Sequence, residues 1–375
     1  MMRFLKEILF SFSLVAVLLS CGGDKRYFVS VEGEVLPMRH SSLLTMVECD
    51  GYTVVDIANP WGNGALQRYV LVPSVTDVPE NIPSGVLLRT PLKRALLFSG
   101  VHAALLDELG VIANVAGVCD AQYIYNEALA KGLSAGSVVD CGSSMNVNPE
   151  AVVRVAPDAV FVLPYENGGF GKLDNLGFPL LLCADYMESS PLGCAEWMRF
   201  YGRLFGLAAE SDSLFSAVCS EYEELSGAAL ATSYRPRLMC ELKSNSAWYV
   251  PCGGSTMGRM YSDAGSDYIF SYNKGSGSVP LSYEVVLDKA ADADVWLLKY
   301  NSESDWTYGS LLSDFAGYAH FKPFGQRNIY VCNTRYRHLF EETAFHPERL
   351  LCELIAIFHP ELLTGYALRY YEKMR

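Results

Sequence analysis

The spacing of apolar residues changes character along the chain. A first, mostly apolar run, Ile8 to Leu19, is about a dozen residues long, short of the roughly 20 that a membrane-crossing helix needs, and Arg3 and Lys6 precede it. From Tyr27 to about Pro91 the text becomes short extended runs, such as Gly51 to Ile57 and Arg68 to Val72, interrupted by Pro and Gly, which predicts a β-rich segment. After Leu92 the pattern is strand, turn, helix: Arg94 to Phe98, then Ser99-Gly100, then Val101 to Leu109 with Leu105, Leu106 and Leu109 on one face. Apolar runs at 115–118, 159–163 and 179–183 continue this alternation, and others follow at 237–242, 295–298 and 328–332. Two groups of parallel strands covered by helices are therefore expected. Between them, Ser211 to Ala231 places Leu214, Phe215, Val218, Tyr222 and Leu225 on one helical face and Glu221, Glu223 and Glu224 on the other. At 1.5 Å per residue this helix spans about 30 Å, enough to bridge two lobes, with Ser211 as its expected N-cap and Tyr234-Arg-Pro236 as its stop.

The charged, then apolar start reads as an export signal. Leu18-Leu-Ser-Cys21 resembles the lipobox of bacterial lipoproteins, which implies cleavage before Cys21 and acylation of its thiol, holding a soluble body on a membrane surface. Removing residues 1–20 leaves 355 of the 375, more than one core usually holds. The leader carries Arg3, Lys6 and Glu7, so its loss takes the formal charge from −13 to −14. Such acidity excludes nucleic acid and electrostatic adsorption to anionic lipid. Beyond Cys21 there are ten cysteines, from Cys49 to Cys352, with no CxxC spacing, so neither a zinc knuckle nor a particular disulfide is predicted.

Two segments share a shape. Asn148-Pro-Glu150 is followed by Ala156-Pro-Asp158-Ala-Val, and Ser282-Tyr-Glu284 by Ala291-Asp292-Ala-Asp-Val295; in each a capping residue stands two before a Glu, and an Asp eight beyond it introduces an apolar strand. With Glu188 to Trp197 and Leu204-Phe-Gly206, these segments resemble the periplasmic binding proteins of iron-siderophore, haem and cobalamin importers over roughly Pro91 to the C-terminus. The resemblance implies an α/β fold of two lobes joined by a single long backbone helix, the class III arrangement, here with an extra β-rich N-terminal segment. The expected divisions are a signal peptide at 1–20, a tether and β-rich segment at 21–91, a first lobe at 92–207, the bridging helix at 208–233 and a second lobe at 234–375. It also implies that Glu150 and Glu284, one per lobe, dock on arginines of an ABC permease whose ATPase supplies the energy, that the protein acts as a monomer in the cell envelope, and that it needs no cofactor.

In a doubly wound sheet the ligand lies beyond the carboxyl ends of the strands. The loops there offer Ser99, His102, Gln122, Tyr123, Tyr165 and Tyr186 from the first lobe, and Trp248, Tyr249, Met257, Trp306, Arg335, Arg337 and His338 from the second. Arginine forks suit carboxylate or catecholate groups, and aromatic rings suit a large planar or greasy ligand such as an iron-siderophore, haem or cobalamin. His102 and His338 are candidate iron ligands from opposing lobes. A bare divalent metal ion as cargo is the alternative, although six scattered histidines supply no obvious ligand set. A lipoprotein hydrolase is the weaker alternative: GxSxG and HExxH are absent, and Ser255 in Gly253-Gly-Ser-Thr-Met-Gly258 is the nearest candidate nucleophile. No catalytic residue and no enzymatic activity are expected.

Overall fold

The computed structural model describes residues 28–375, so the leader and the lipidation expected at Cys21 lie outside the described residues. The β-rich segment forms a sheet of β1 (Glu34–Leu36), β2 (Leu44–Cys49), β3 (Tyr52–Ala58), β4 (Ala65–Pro73) and β5 (Val86–Thr90), antiparallel throughout except for the β4–β5 pair. Gly51, at φ 83°, makes the tight β2–β3 turn that a side chain would strain. Register stacks Met46 against Val55 and Val55 against Tyr69, and these residues pack into the same core as the following lobe. The segment is therefore fused to the first lobe.

That lobe is built from β6 (Ala95–Leu97), α1 (Gly100–Glu108), β7 (Val115–Val118), α2 (Glu127–Ala135), β8 (Val139–Asp140), a hairpin of β9 (Gly142–Ser143) and β10 (Asn146–Val147), α3 (Pro149–Val155), β11 (Ala159–Val162) and β12 (Leu180–Leu182). Its sheet has the order β12-β11-β6-β7-β8, all parallel. Successive side chains leave opposite faces of a strand. Leu96, Val160 and Val162 accordingly meet Val152 and Val155 of α3, while Ala95, Leu97 and Phe161 join the main core. Helices α4 (Pro191–Glu196) and α5 (Met198–Leu204) then lead into the bridging helix α6 (Ala208–Leu230).

The second lobe comprises β13 (Arg237–Cys240), β14 (Lys243–Ser244), β15 (Ala247–Pro251), α7 (Thr256–Asp263), β16 (Asp267–Tyr268), β17 (Ser278–Leu281), α8 (Tyr283–Ala290), β18 (Val295–Tyr300), α9 (Tyr308–Asp314), α10 (Lys322–Gly325), β19 (Ile329–Asn333), α11 (Leu339–Thr343), α12 (Pro347–Phe358) and β20 (Glu372–Lys373). Its main sheet is ordered β16-β13-β18-β19-β20, parallel but for β20, and β14, β15 and β17 form a smaller antiparallel sheet beside it. Among the described residues no helix is long and apolar enough to cross a membrane.

The repeated element has a structural meaning, with one correction to its alignment. Asp158 stands just before β11 and its carboxylate accepts from the Lys93 and Arg94 N–H groups at the start of β6. In the second lobe the matching acceptor from the Arg237 N–H, at the start of β13, is Asp294 and not Asp292, at 2.9 Å. Asp292 instead pairs with the Arg237 guanidinium. An identical spacing of eight residues concealed a two-residue shift, because Ala291 extends α8 where Ala156 closes α3 in a left-handed conformation.

Helix α6 runs 23 residues, about 34 Å. It begins before Ser211, which is fully buried within its first turn and donates to the Ala208 carbonyl, so Ser211 is not the expected N-cap. The close approach of α5 explains this: any Cβ on Gly202 would fall 2.1 Å from the Ser211 hydroxyl oxygen. Phe215, Val218, Cys219 and Tyr222 line the buried face of α6. The segment before β2 is held against α4 by charge. Glu196, fully buried, accepts from the N–H groups of Arg39, His40 and Ser41 at 2.9, 2.8 and 2.8 Å, and from Arg199 at 3.2 Å. Arg199 and Arg203 both continue to Asp212 on α6 at 2.8 Å.

Candidate functional site

The first sheet reverses direction at β6: the chain winds from β6 to β7 and β8, then returns to lay β11 and β12 on the other side. A ligand site is expected outside the carboxyl ends at such a reversal. A cavity of 440 Å³ opens there, between the lobes. Ser99, Val101, His102, Leu163 and Tyr186 bound it from the first lobe, Met257 and Met260 from α7, and Phe340, Ala344 and Leu350 from α11 and α12. The walls are largely apolar, with a few polar groups at the floor, the pattern of a pocket for a greasy ligand.

Local chemistry positions these groups. Ser99 follows β6 by two residues and caps α1, its hydroxyl accepting from the Val101 N–H. At the floor the His102 Nε2 lies 3.3 Å from Asp185, which also accepts from the Tyr201 hydroxyl at 2.5 Å. Cys183 completes a buried nitrogen, sulfur and oxygen cluster whose donor atoms lie within 4.8 Å of one another. The Tyr186 hydroxyl donates to the Pro164 carbonyl, bracing one wall.

Of the residues expected at the cleft, Ser99, His102, Tyr186 and Met257 line this cavity. Gln122 and Tyr123 are exposed on a short turn after β7, outside its lining. Tyr165 is exposed and borders a separate 280 Å³ depression with Met145 and Phe170. Trp248 is corrected outright: it is fully buried in the second lobe, packed on Trp296, Tyr318 and Phe321, because alternation along β15 turns it inward and Tyr249 outward. Trp306 stacks on Tyr300 at 5.2 Å. Arg335 pairs with Glu303 at 3.2 Å, Arg337 is exposed, and His338 stacks on Tyr125 of the first lobe at 4.4 Å. His102 thus faces Asp185 at the floor of the cavity, whereas His338 stacks on Tyr125 and is not part of the cavity lining. Ser255 caps α7 and donates to the Cys252 carbonyl at 2.6 Å, so its hydroxyl serves structure.

The residues missed are those of α11 and α12. Strand-following loops drew the expectation, whereas these helices close the cavity from the C-terminal side; the one available signal was the apolar face Leu350, Leu351 and Leu354. They also carry a polar link between lobes. His346 at the start of α12 lies 2.7 Å from Glu348 and 2.5 Å from Glu108 at the end of α1, with Arg349 3.7 Å from both carboxylates. Burial alone would lower the imidazole pKa, but the two carboxylates override it and raise it from 6.5 to about 9. The Glu108 carboxyl is lowered, chiefly by its hydrogen bond to His346. A raised histidine stabilises fully below its unfolded pKa and ceases to as pH climbs to its folded value; a lowered carboxylate contributes above its unfolded pKa. The link is therefore strongest between about pH 4.5 and 6.5 and fades towards pH 9. His346→Gln should cost about 1–2 kcal/mol near pH 6, after allowance for solvent screening, and nothing by pH 10. Thermal melts of both proteins across that range check this; a difference that does not depend on pH would remove the ionic link.

Outside the cleft, Asn148 accepts from the N–H groups of Glu150 and Ala151, and Ser282 from that of Val285. Glu150 and Glu284 are each the second residue of their helices, and both are exposed, one on each lobe. The ten cysteines among the described residues are free thiols.

The model of the periplasmic binding protein family matches residues 98–336, more than half of the chain. An uncharacterised lipoprotein of Methanocaldococcus jannaschii is 27% identical over 298 residues, covering 76% of this chain and 70% of its own. Among solved structures, an ABC-type Fe3+-hydroxamate transport system protein of Saccharomonospora viridis aligns with a TM-score of 0.56 at 16% identity, covering 80% of this chain and 97% of that one. A periplasmic haem-binding protein of Pseudomonas aeruginosa aligns with a TM-score of 0.57 at 14% identity, covering 76% and 98%.

Proposed function

The chain belongs to the periplasmic binding protein family and is a solute-binding protein, not an enzyme; from that premise we propose that it captures a metal chelate of the iron-siderophore, haem or cobalamin class between its lobes. The lipid-anchored monomer then presents the chelate to the permease and ATPase of an ABC importer, with Glu150 and Glu284 as the carboxylates offered to the permease. The observation that carries this reading is the apolar cavity at the reversal of the first sheet, walled by both lobes. Exposed rings at its margins, Tyr186 and Phe340, suit the faces of a large chelate.

The test is a spectral titration of purified protein with haemin, cyanocobalamin and a ferric hydroxamate. One of the three should shift its absorption and saturate at one equivalent, and Leu163→Asp, which sets a charge on the apolar wall, should weaken that binding roughly a hundredfold. Silence with all three ligands would end the reading. A bare divalent cation is the competing cargo, favoured by the His102, Cys183 and Asp185 cluster under the floor. It is identified by stoichiometric metal that survives dialysis and is lost in Cys183→Ser.

A further inference from the structure

Cys219 and Glu223 stand four residues apart on α6 and so share one face of the helix. The loop before β2 lays a third donor over them. His40 Nε2 lies 3.4 Å from the Cys219 sulfur and 3.9 Å from Glu223 Oε1, and the three donor atoms fall within 4.8 Å of one another. Around a tetrahedral zinc ion, with bonds of about 2.0 Å to nitrogen and oxygen and 2.3 Å to sulfur, donors are separated by roughly 3.3 to 3.8 Å. Closing onto such an ion requires only small side-chain rotations. We propose that His40, Cys219 and Glu223 hold one zinc-like divalent transition-metal ion, which clasps the N-terminal segment to the bridging helix.

Several features make this a built arrangement. His40 is held by its own backbone, whose N–H donates to buried Glu196 at 2.8 Å, and its ring packs edge-on against Phe215. The sulfur is buried while Glu223 is exposed, so the remaining coordination position faces solvent. One thiolate, one imidazole and one carboxylate exclude the hard cations calcium and magnesium and select a borderline ion. On binding, the Cys219 thiol releases its proton to solvent and coordinates as thiolate. Burial, together with the Glu223 carboxylate, pushes that thiol's pKa up, and a divalent charge compensates both effects. Arg39, 3.7 Å from the same carboxylate, competes with the ion for Glu223. None of these residues lines the ligand cavity, so the site is independent of the cargo reading.

The experiment uses chelator-treated, reduced protein carrying Cys183→Ser, so that the cluster under the cleft contributes no thiolate, titrated with Co2+ and then Zn2+. The expected result is a thiolate-to-cobalt charge-transfer band that saturates at one equivalent and is bleached by Zn2+, together with a melting temperature that rises with added Zn2+. Cys219→Ser should abolish the band, Glu223→Gln should weaken binding roughly tenfold, and Arg39→Ala should tighten it. The exposed positions 39 and 223 keep the test valid even where Cys219→Ser compromises folding. Absence of the band, its persistence in folded Cys219→Ser, or indifference to both Glu223→Gln and Arg39→Ala would overturn the site.

Discussion

With Glu150→Lys and Glu284→Lys combined, ligand binding is expected to remain as in the natural chain while delivery through the importer falls by roughly a hundredfold or more. Both carboxylates are exposed on helix starts and neither belongs to the cavity lining, so their reversal should leave the cleft untouched. A single rim ion pair is worth little, but reversing both sets two cations against the cationic surface proposed on the permease, and like-charge contacts cost several kcal/mol. Each lysine also sits unfavourably at a helix N-terminus, so a modest loss of stability is expected beside the transport defect. Uptake by cells expressing the variant, paired with ligand binding by the purified protein, checks the expectation. Normal uptake would show that the two glutamates serve only their helices, and lost binding would show that they serve the cleft.

Glu196→Ala is the substitution expected to cost most stability, about 3–5 kcal/mol. The carboxylate has no exposure to water and is the shared acceptor for three consecutive N–H groups, those of Arg39, His40 and Ser41. Its removal leaves the three N–H groups without their acceptor, and the Arg199 guanidinium keeps Asp212 and the Pro37 carbonyl. The segment at 37–40 should detach while Ser42 and Leu43 stay bonded to Glu188, so that the detached stretch becomes sensitive to protease before the rest of the molecule unfolds. Denaturant midpoints and the position of the first proteolytic cut provide the measurement; a loss below 1 kcal/mol would mean that water substitutes for the carboxylate.

Much of the architecture could be read from the chain because parallel strands buried on both faces leave unbroken apolar runs, as at Ala159–Val162, and because Asn148 and Ser282 announce helix starts through ordinary capping chemistry. Features that depend on distant partners could not be read. Trp248 looks like a pocket residue until the β15 register is known, and Asp292 looks like the partner of Asp158 until the end of α8 is seen. Ser211 resembles a cap by composition, yet the contact with Gly202 places it inside the helix. The cavity lies beyond the strand ends, but part of its wall comes from α11 and α12, whose packing back onto the first lobe no local pattern in the loop after β19 reveals. Glu188 and Glu196 lie in a recognisable segment, but nothing local reveals that the loop at 39–43 will deliver its N–H groups to them from roughly 150 residues away.

One small contact reaches further than its size suggests. Tyr69 in β4 places its hydroxyl against β12, the outermost strand of the first lobe, accepting from the Leu182 N–H at 2.8 Å and donating to the Leu180 carbonyl at 3.0 Å. A phenol thereby stands in for the missing neighbouring strand, and the open margin of the sheet is sealed by a side chain. Because the segment that carries it precedes the lobe in the chain, the seal is synthesised before the margin it closes, and that margin is not left bare for a sibling molecule to pair with.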